Sequence, residues 1–89
     1  MAVYIIHFSG EIDYKRTKSY GDKRHYVGST GDIDNRLNNH LNGYGSRMTA
    51  TAKEQGLILT VSKIIPEGDI ILEHQIIKDG ATKHCPICS

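Results

Sequence analysis

Three side chains suited to chemistry on charged groups stand out by type and spacing. Arg36 and His40 lie four residues apart, shortly after the strand-like Tyr26-Val27-Gly28, and Glu73 sits among isoleucines and a leucine near the C-terminus. Side chains four apart share one helix face. Ile33, Leu37 and Leu41 form the apolar stripe of that helix; at roughly 100° per residue they span about 80°, with His40 inside the stripe's edge and Arg36 just outside it. Both are expected along the seam where helix meets sheet. Glu73 is stranger. Ile70, Leu72, Ile76 and Ile77 occupy an arc of roughly 160°, and Glu73 falls within it while His74, Gln75 and Lys78 take the other side. A carboxylate facing a core is costly unless a cation or hydrogen-bond donors meet it. It reads as a metal ligand or catalytic carboxylate, as the partner of a buried arginine (Arg36 being the obvious candidate), or as a rim residue on a helix docked at a slightly different angle.

The elements that must position these residues follow from periodicity and punctuation. Ala2 to Phe8 is a short apolar run bounded by Ser9-Gly10 and reads as a strand; Lys23 to Ser29 reads as a second strand, and the long polar connection makes the pair a hairpin with an extended basic loop. Gly28 is expected to end the second strand and let the chain bend sharply toward the next helix. Asp32 is the expected N-cap of that helix, which runs from Ile33 to Leu41 and stops at Asn42-Gly43. Ser46 to Gln55 reads as a second helix closed by Gly56, and Leu57 to Ile65 as a third strand. A last helix is expected from Pro66 to about Lys78, ended by Asp79-Gly80. The order β-β-α-α-β-α defines an α+β domain over residues 1–80, a three-stranded sheet with helices packed on it, and residues 81–89 form a tail.

Composition bounds the class. With 89 residues, 38% hydrophobic and 24% charged, the chain is one ordinary globular domain near the lower size limit for a single apolar core. No stretch approaches a membrane span or a secretory h-region, so a cytoplasmic protein without membrane contact is expected. A net charge of +1 does not by itself advertise nucleic-acid binding. The distribution says more: Lys15, Arg16, Lys18, Lys23 and Arg24 place five of eleven basic residues in ten positions, interleaved with Tyr14 and Tyr20. This cluster reads as a phosphate-backbone grip or as a solvated loop. Cys85 and Cys88 form Cys-Pro-Ile-Cys. They are too close to staple the fold, and read either as half of a zinc site completed by His84, His74 or a second chain, or as a thiol pair on a frayed tail.

Taken together, Val3-Tyr4-Ile5, Tyr26-Val27-Gly28, Arg36 ten residues beyond that tyrosine, His40 four further on and Glu73 on a late helix resemble the GIY-YIG nuclease family. Tyr44-Gly45-Ser46 through Gly56, the strand after it and the CPxC ending also look like short, free-standing members. The resemblance implies a three-stranded antiparallel sheet flanked by helices, and a DNA endonuclease using one divalent ion, magnesium or manganese. It makes Tyr4 and Tyr26 the active-site tyrosines, Arg36 the phosphate-facing arginine, His40 the histidine-or-tyrosine position and Glu73 the metal ligand. Either tyrosine could be the general base. Ala2 stands where the family's first motif usually has glycine, and the gap between the tyrosines is longer than usual by the basic loop. On this reading Lys15, Arg16, Lys18, Lys23, Arg24, Arg47 and Lys78 face DNA. A domain of this size is expected to cut with low sequence specificity, or to be directed by a homodimer or a DNA-targeting partner protein. The alternatives are a nuclease-derived DNA-binding or adaptor module and a zinc-stabilised interaction domain.

Overall fold

A continuous apolar run needs cover on both faces, and Ala2–Phe8 obtains it as the central strand β1, six of whose seven residues are buried. The computed structural model describes residues 1–88; Ser89, the last residue of the expected tail, lies outside the described residues. Strand β1 pairs antiparallel with β3 (His25–Thr30) on one side and β4 (Leu59–Ile65) on the other, and a two-residue strand, β2 (Gly21–Asp22), adds to the far edge of β3. The sheet therefore has four strands in the order β2-β3-β1-β4. The three-stranded expectation missed β2, because two residues carry no detectable alternation and are held only by the ladder beside them. Between Ile5 and Ile6 the register against β4 slips, leaving Ser62 as the extra residue of a bulge.

Alternation along β1 divides the core in two. Tyr4, Ile6 and Phe8 pack with Tyr26, Met48 and Ala52 on one face, whereas Val3 and Ile5 pack with Val27, Ile76 and Ala81 on the other. The first cluster includes residues of α3 (Arg47–Glu54) and is flanked by Ile33 and Leu37 of α2 (Ile33–Leu41). The second lies against α4 (Ile70–Asp79) and α5 (Ala81–His84). Three helix starts are capped by side chains: Asp32 accepts the amide of Asn35, Ser46 that of Thr49, and Asp69 that of Leu72. The Asp69 cap explains why the last long helix begins at Ile70 rather than at Pro66. Two segments read as irregular are structured. Thr17–Tyr20 forms a helical turn, α1, inside the basic loop, and α5 places Ala81 and Cys85 in the interior, so residues 81–88 are not a frayed tail.

Candidate active site

Strand register decides which side chains meet. Tyr4 sits opposite Gly28, and Tyr26 is opposite Ile6, so both tyrosines stand on the same face of the sheet as α2 and α3. Their ring centroids are 6.2 Å apart. Gly28 lies inside β3, which continues to Thr30, so it does not end the strand as expected. Its role is steric: a Cβ at position 28 would collide with the Tyr4 hydroxyl and crowd the Tyr26 ring. The missing side chain is the space that the Tyr4 phenol occupies.

Helix α2 brings His40 to the same point. The Tyr4 hydroxyl is 2.6 Å from His40 Nε2, His40 Nδ1 is 2.9 Å from Thr49 Oγ1, and Thr49 Oγ1 reaches the Ser46 carbonyl at 3.3 Å. Tyr4, His40 and Thr49 are all at most 1% exposed. One polarity that satisfies the chain has Tyr4 O–H donating to Nε2, Nδ1–H donating to Thr49, and Thr49 donating to the Ser46 carbonyl. Gly45 makes room for the imidazole, since a Cβ there would run into its ring.

The electrostatics agree with a neutral pair. Burial, followed by the nearby Arg36 charge, pulls His40 down to about 4. Burial above all pushes Tyr4 up to about 12, assisted by Tyr26 and Glu73 and only partly opposed by Arg36. At neutral pH the unit is therefore phenol and imidazole. Arg36 is close enough to interact with both tyrosine hydroxyls. Glu73 approaches from α4; its Oε1 accepts a hydrogen bond from Ser29 Oγ at 3.2 Å, and its Oε2 lies 3.6 Å from His74 Nε2. Its side chain is 17% exposed. Among the described residues Glu73 has no ion pair with Arg36; its partly exposed side chain agrees with a place at the rim of the helix's apolar arc.

The basic residues are divided. Arg16 and Arg47 line a cavity of about 420 Å³ with Tyr14, Tyr20 and Tyr26, and Tyr20 stacks on Tyr26 at 6.2 Å. Lys18 and Lys78 line a second depression with His74. Lys15, Lys23 and Arg24 line neither cavity. Arg24 instead lies near His7 and Cys88, whose charges it influences. Cys85 and Cys88 are on the opposite face of the sheet from the tyrosines. Neither His84 nor His74 joins them, for His84 faces Asp79 at 3.5 Å and His74 faces Glu73. The histidines beside the cysteines are His7 and His25, with contacts of 3.3–3.6 Å. Sequence reasoning missed Thr49, Ser29, Gly45 and both of these histidines, whose neighbours are set by strand pairing and by the approach of α2 and α3.

Tyr4, Tyr26, His40 and Arg36 meet on one face of the sheet, whereas Glu73 comes from α4 on the other face, beside Ser29, whose partner in the ladder is Val3. The chain belongs to the GIY-YIG family, a nuclease family: the GIY-YIG catalytic domain matches residues 1–84. No curated protein and no solved structure matches it.

Proposed function

We propose that the protein is a divalent-metal-dependent DNA endonuclease whose site comprises Tyr4, Tyr26, Arg36, His40 and Glu73. The observation that carries this reading is the Tyr4–His40 bond within reach of Arg36. Phosphodiester hydrolysis needs a proton acceptor for the attacking water and donors for the nonbridging oxygens. Arg36 supplies planar donors that match phosphate oxygens. Tyr4 acts as a relay: its oxygen accepts a proton from water as its own proton moves to His40 Nε2, and Thr49 holds the resulting imidazolium at Nδ1. The imidazolium then returns that proton through the Tyr4 hydroxyl to solvent as product leaves, restoring the neutral pair. This arrangement favours Tyr4 over Tyr26 as the base, because only Tyr4 has a neutral acceptor already bonded to its hydroxyl. Tyr26 faces the cavity lined by Arg16 and Arg47, a suitable surface for the flanking DNA backbone.

Glu73 fits a hard cation. Its carboxylate is partly shielded, one oxygen is oriented by Ser29, and no lysine or arginine among the described residues neutralises it. Magnesium or manganese suits a single carboxylate because such ions retain much of their water shell. A divalent cation held there supplies charge neutralisation at the phosphate and eases deprotonation of the attacking water. The reading includes weak sequence specificity, or direction by a partner or a second copy. The test is conversion of supercoiled plasmid to open-circle or linear DNA with magnesium, manganese or chelator. Cleavage should require the metal and fall by about 10²–10³-fold in Arg36→Ala, with comparable loss in Glu73→Gln. Salt-sensitive DNA binding without any metal-dependent product, on plasmid or branched DNA, would instead identify a binding module.

A further inference from the structure

We propose that His7, His25, Cys85 and Cys88 form a tetrahedral structural Zn²⁺ site that clasps the C-terminal segment onto the sheet. The four ligand atoms all lie within 4.8 Å of one another. Their individual separations carry the argument. His7 Nδ1 and His25 Nε2 are 3.2 Å apart, and the nitrogen–sulfur distances are 3.3 Å from His25 to Cys88, 3.5 Å from His7 to Cys88 and 3.6 Å from His7 to Cys85. A tetrahedron with Zn–N bonds of ~2.05 Å and Zn–S bonds of ~2.3 Å has edges of about 3.3 Å between nitrogens and about 3.6 Å between nitrogen and sulfur. Four of the six edges of that polyhedron are matched, and the other two lie within 4.8 Å.

The surroundings are those of a metal site. His7 and His25 are directly paired across β1 and β3, so their rings leave the same face of the sheet together. Asp22 Oδ1 holds His25 Nδ1 at 2.7 Å, which assigns the proton to Nδ1 and leaves the Nε2 lone pair directed at the cluster. The other oxygen of Asp22 accepts the Thr82 amide at 3.1 Å and its hydroxyl at 2.8 Å, tying α5 to the same carboxylate. His25 and Cys85 are fully buried, and four protein donors leave no position for a substrate. Such closed sites are structural. Thiolate and imidazole donors select zinc over the hard ions suited to Glu73.

The clasp joins segments far apart in sequence behind the strands that carry Tyr4 and Tyr26, and it does not depend on the nuclease reading. Full-length protein expressed with zinc should contain about one zinc per chain by elemental analysis. Cobalt in its place should give the intense visible bands of tetrahedral thiolate ligation. Cys88→Ser, at an exposed residue whose replacement disturbs no packing, should lose the bound zinc, as should His7→Asn. Asp22→Asn should retain the site but weaken it by about 10–100-fold in chelator competition. Glu73→Gln should keep zinc at full stoichiometry even where cleavage is lost, which separates this site from the proposed nuclease centre. Zinc-free protein from zinc-supplemented growth with no tetrahedral cobalt spectrum, a Cys85–Cys88 disulfide in the freshly isolated chain, or zinc content that follows Glu73 rather than Cys88 would each overturn the proposal.

Discussion

Acidification probes the buried tyrosine–histidine pair directly. In the folded chain His40 accepts a proton only near pH 4, since burial and then Arg36 oppose the imidazolium. In the unfolded chain a histidine titrates near 6.5. Between these values the unfolded state holds more protons, so the stability contributed by neutral His40 is complete above about pH 6.5 and is lost as pH falls toward 4. The interval of about 2.5 pH units is worth about 3.4 kcal/mol at full weight, and screening by water at the mouth of the site reduces it to about 2 kcal/mol. The assay is urea unfolding of wild type and His40→Gln at several pH values. The other four histidines are common to both chains and cancel, so the stability gap between wild type and variant should shrink by about 2 kcal/mol from about pH 7 to about pH 4. The same reasoning places no acid limb from His40 in the cleavage rate above about pH 5. A stability gap that is constant with pH, or a rate limb near 6.5 that disappears in the variant, would show that His40 charges as an ordinary histidine and would refute the neutral relay.

Three further outcomes follow from the same geometry. Gly28→Ala should cost about 1–3 kcal/mol in thermal or urea unfolding, because the new methyl displaces the Tyr4 phenol, and should depress cleavage more than binding; a wild-type melting curve with normal turnover would contradict the steric role. Thr49→Val leaves the His40 Nδ1–H buried without an acceptor at a cost of about 1–3 kcal/mol, and the loss should be much smaller in a His40→Gln background, as a double-mutant cycle would measure. Arg36→Lys retains the charge but not the planar fork, so plasmid cleavage should fall by about 10–10²-fold with little change in stability; equal activity would mean that Arg36 acts only through net charge.

Local chemistry determined much of this protein from the sequence alone. An apolar run bounded by serine and glycine marked β1, Asp32 and the four-residue spacing of Ile33, Leu37 and Leu41 marked α2, and an acid in an apolar arc drew attention to Glu73. Each signal resides in a few neighbouring residues, where periodicity and capping act. Family resemblance added Tyr4 and Tyr26, which alternation alone would have assigned to packing.

What required the tertiary structure was everything set by register and by approach across the sheet. Gly28 looked like a turn residue because its sequence neighbours precede a helix. Only its pairing with Tyr4 shows that it is an absence shaped to fit a phenol. Thr49 was one polar residue on a helix until α3 brought it against His40 Nδ1. Cys85 and Cys88 had two candidate histidines nearby in sequence, yet the pairing of β1 with β3 supplies two remote ones, His7 and His25, instead. Non-local contacts of this kind leave no periodic trace in a single chain, because the free energy that fixes them belongs to the assembled sheet and not to any one strand.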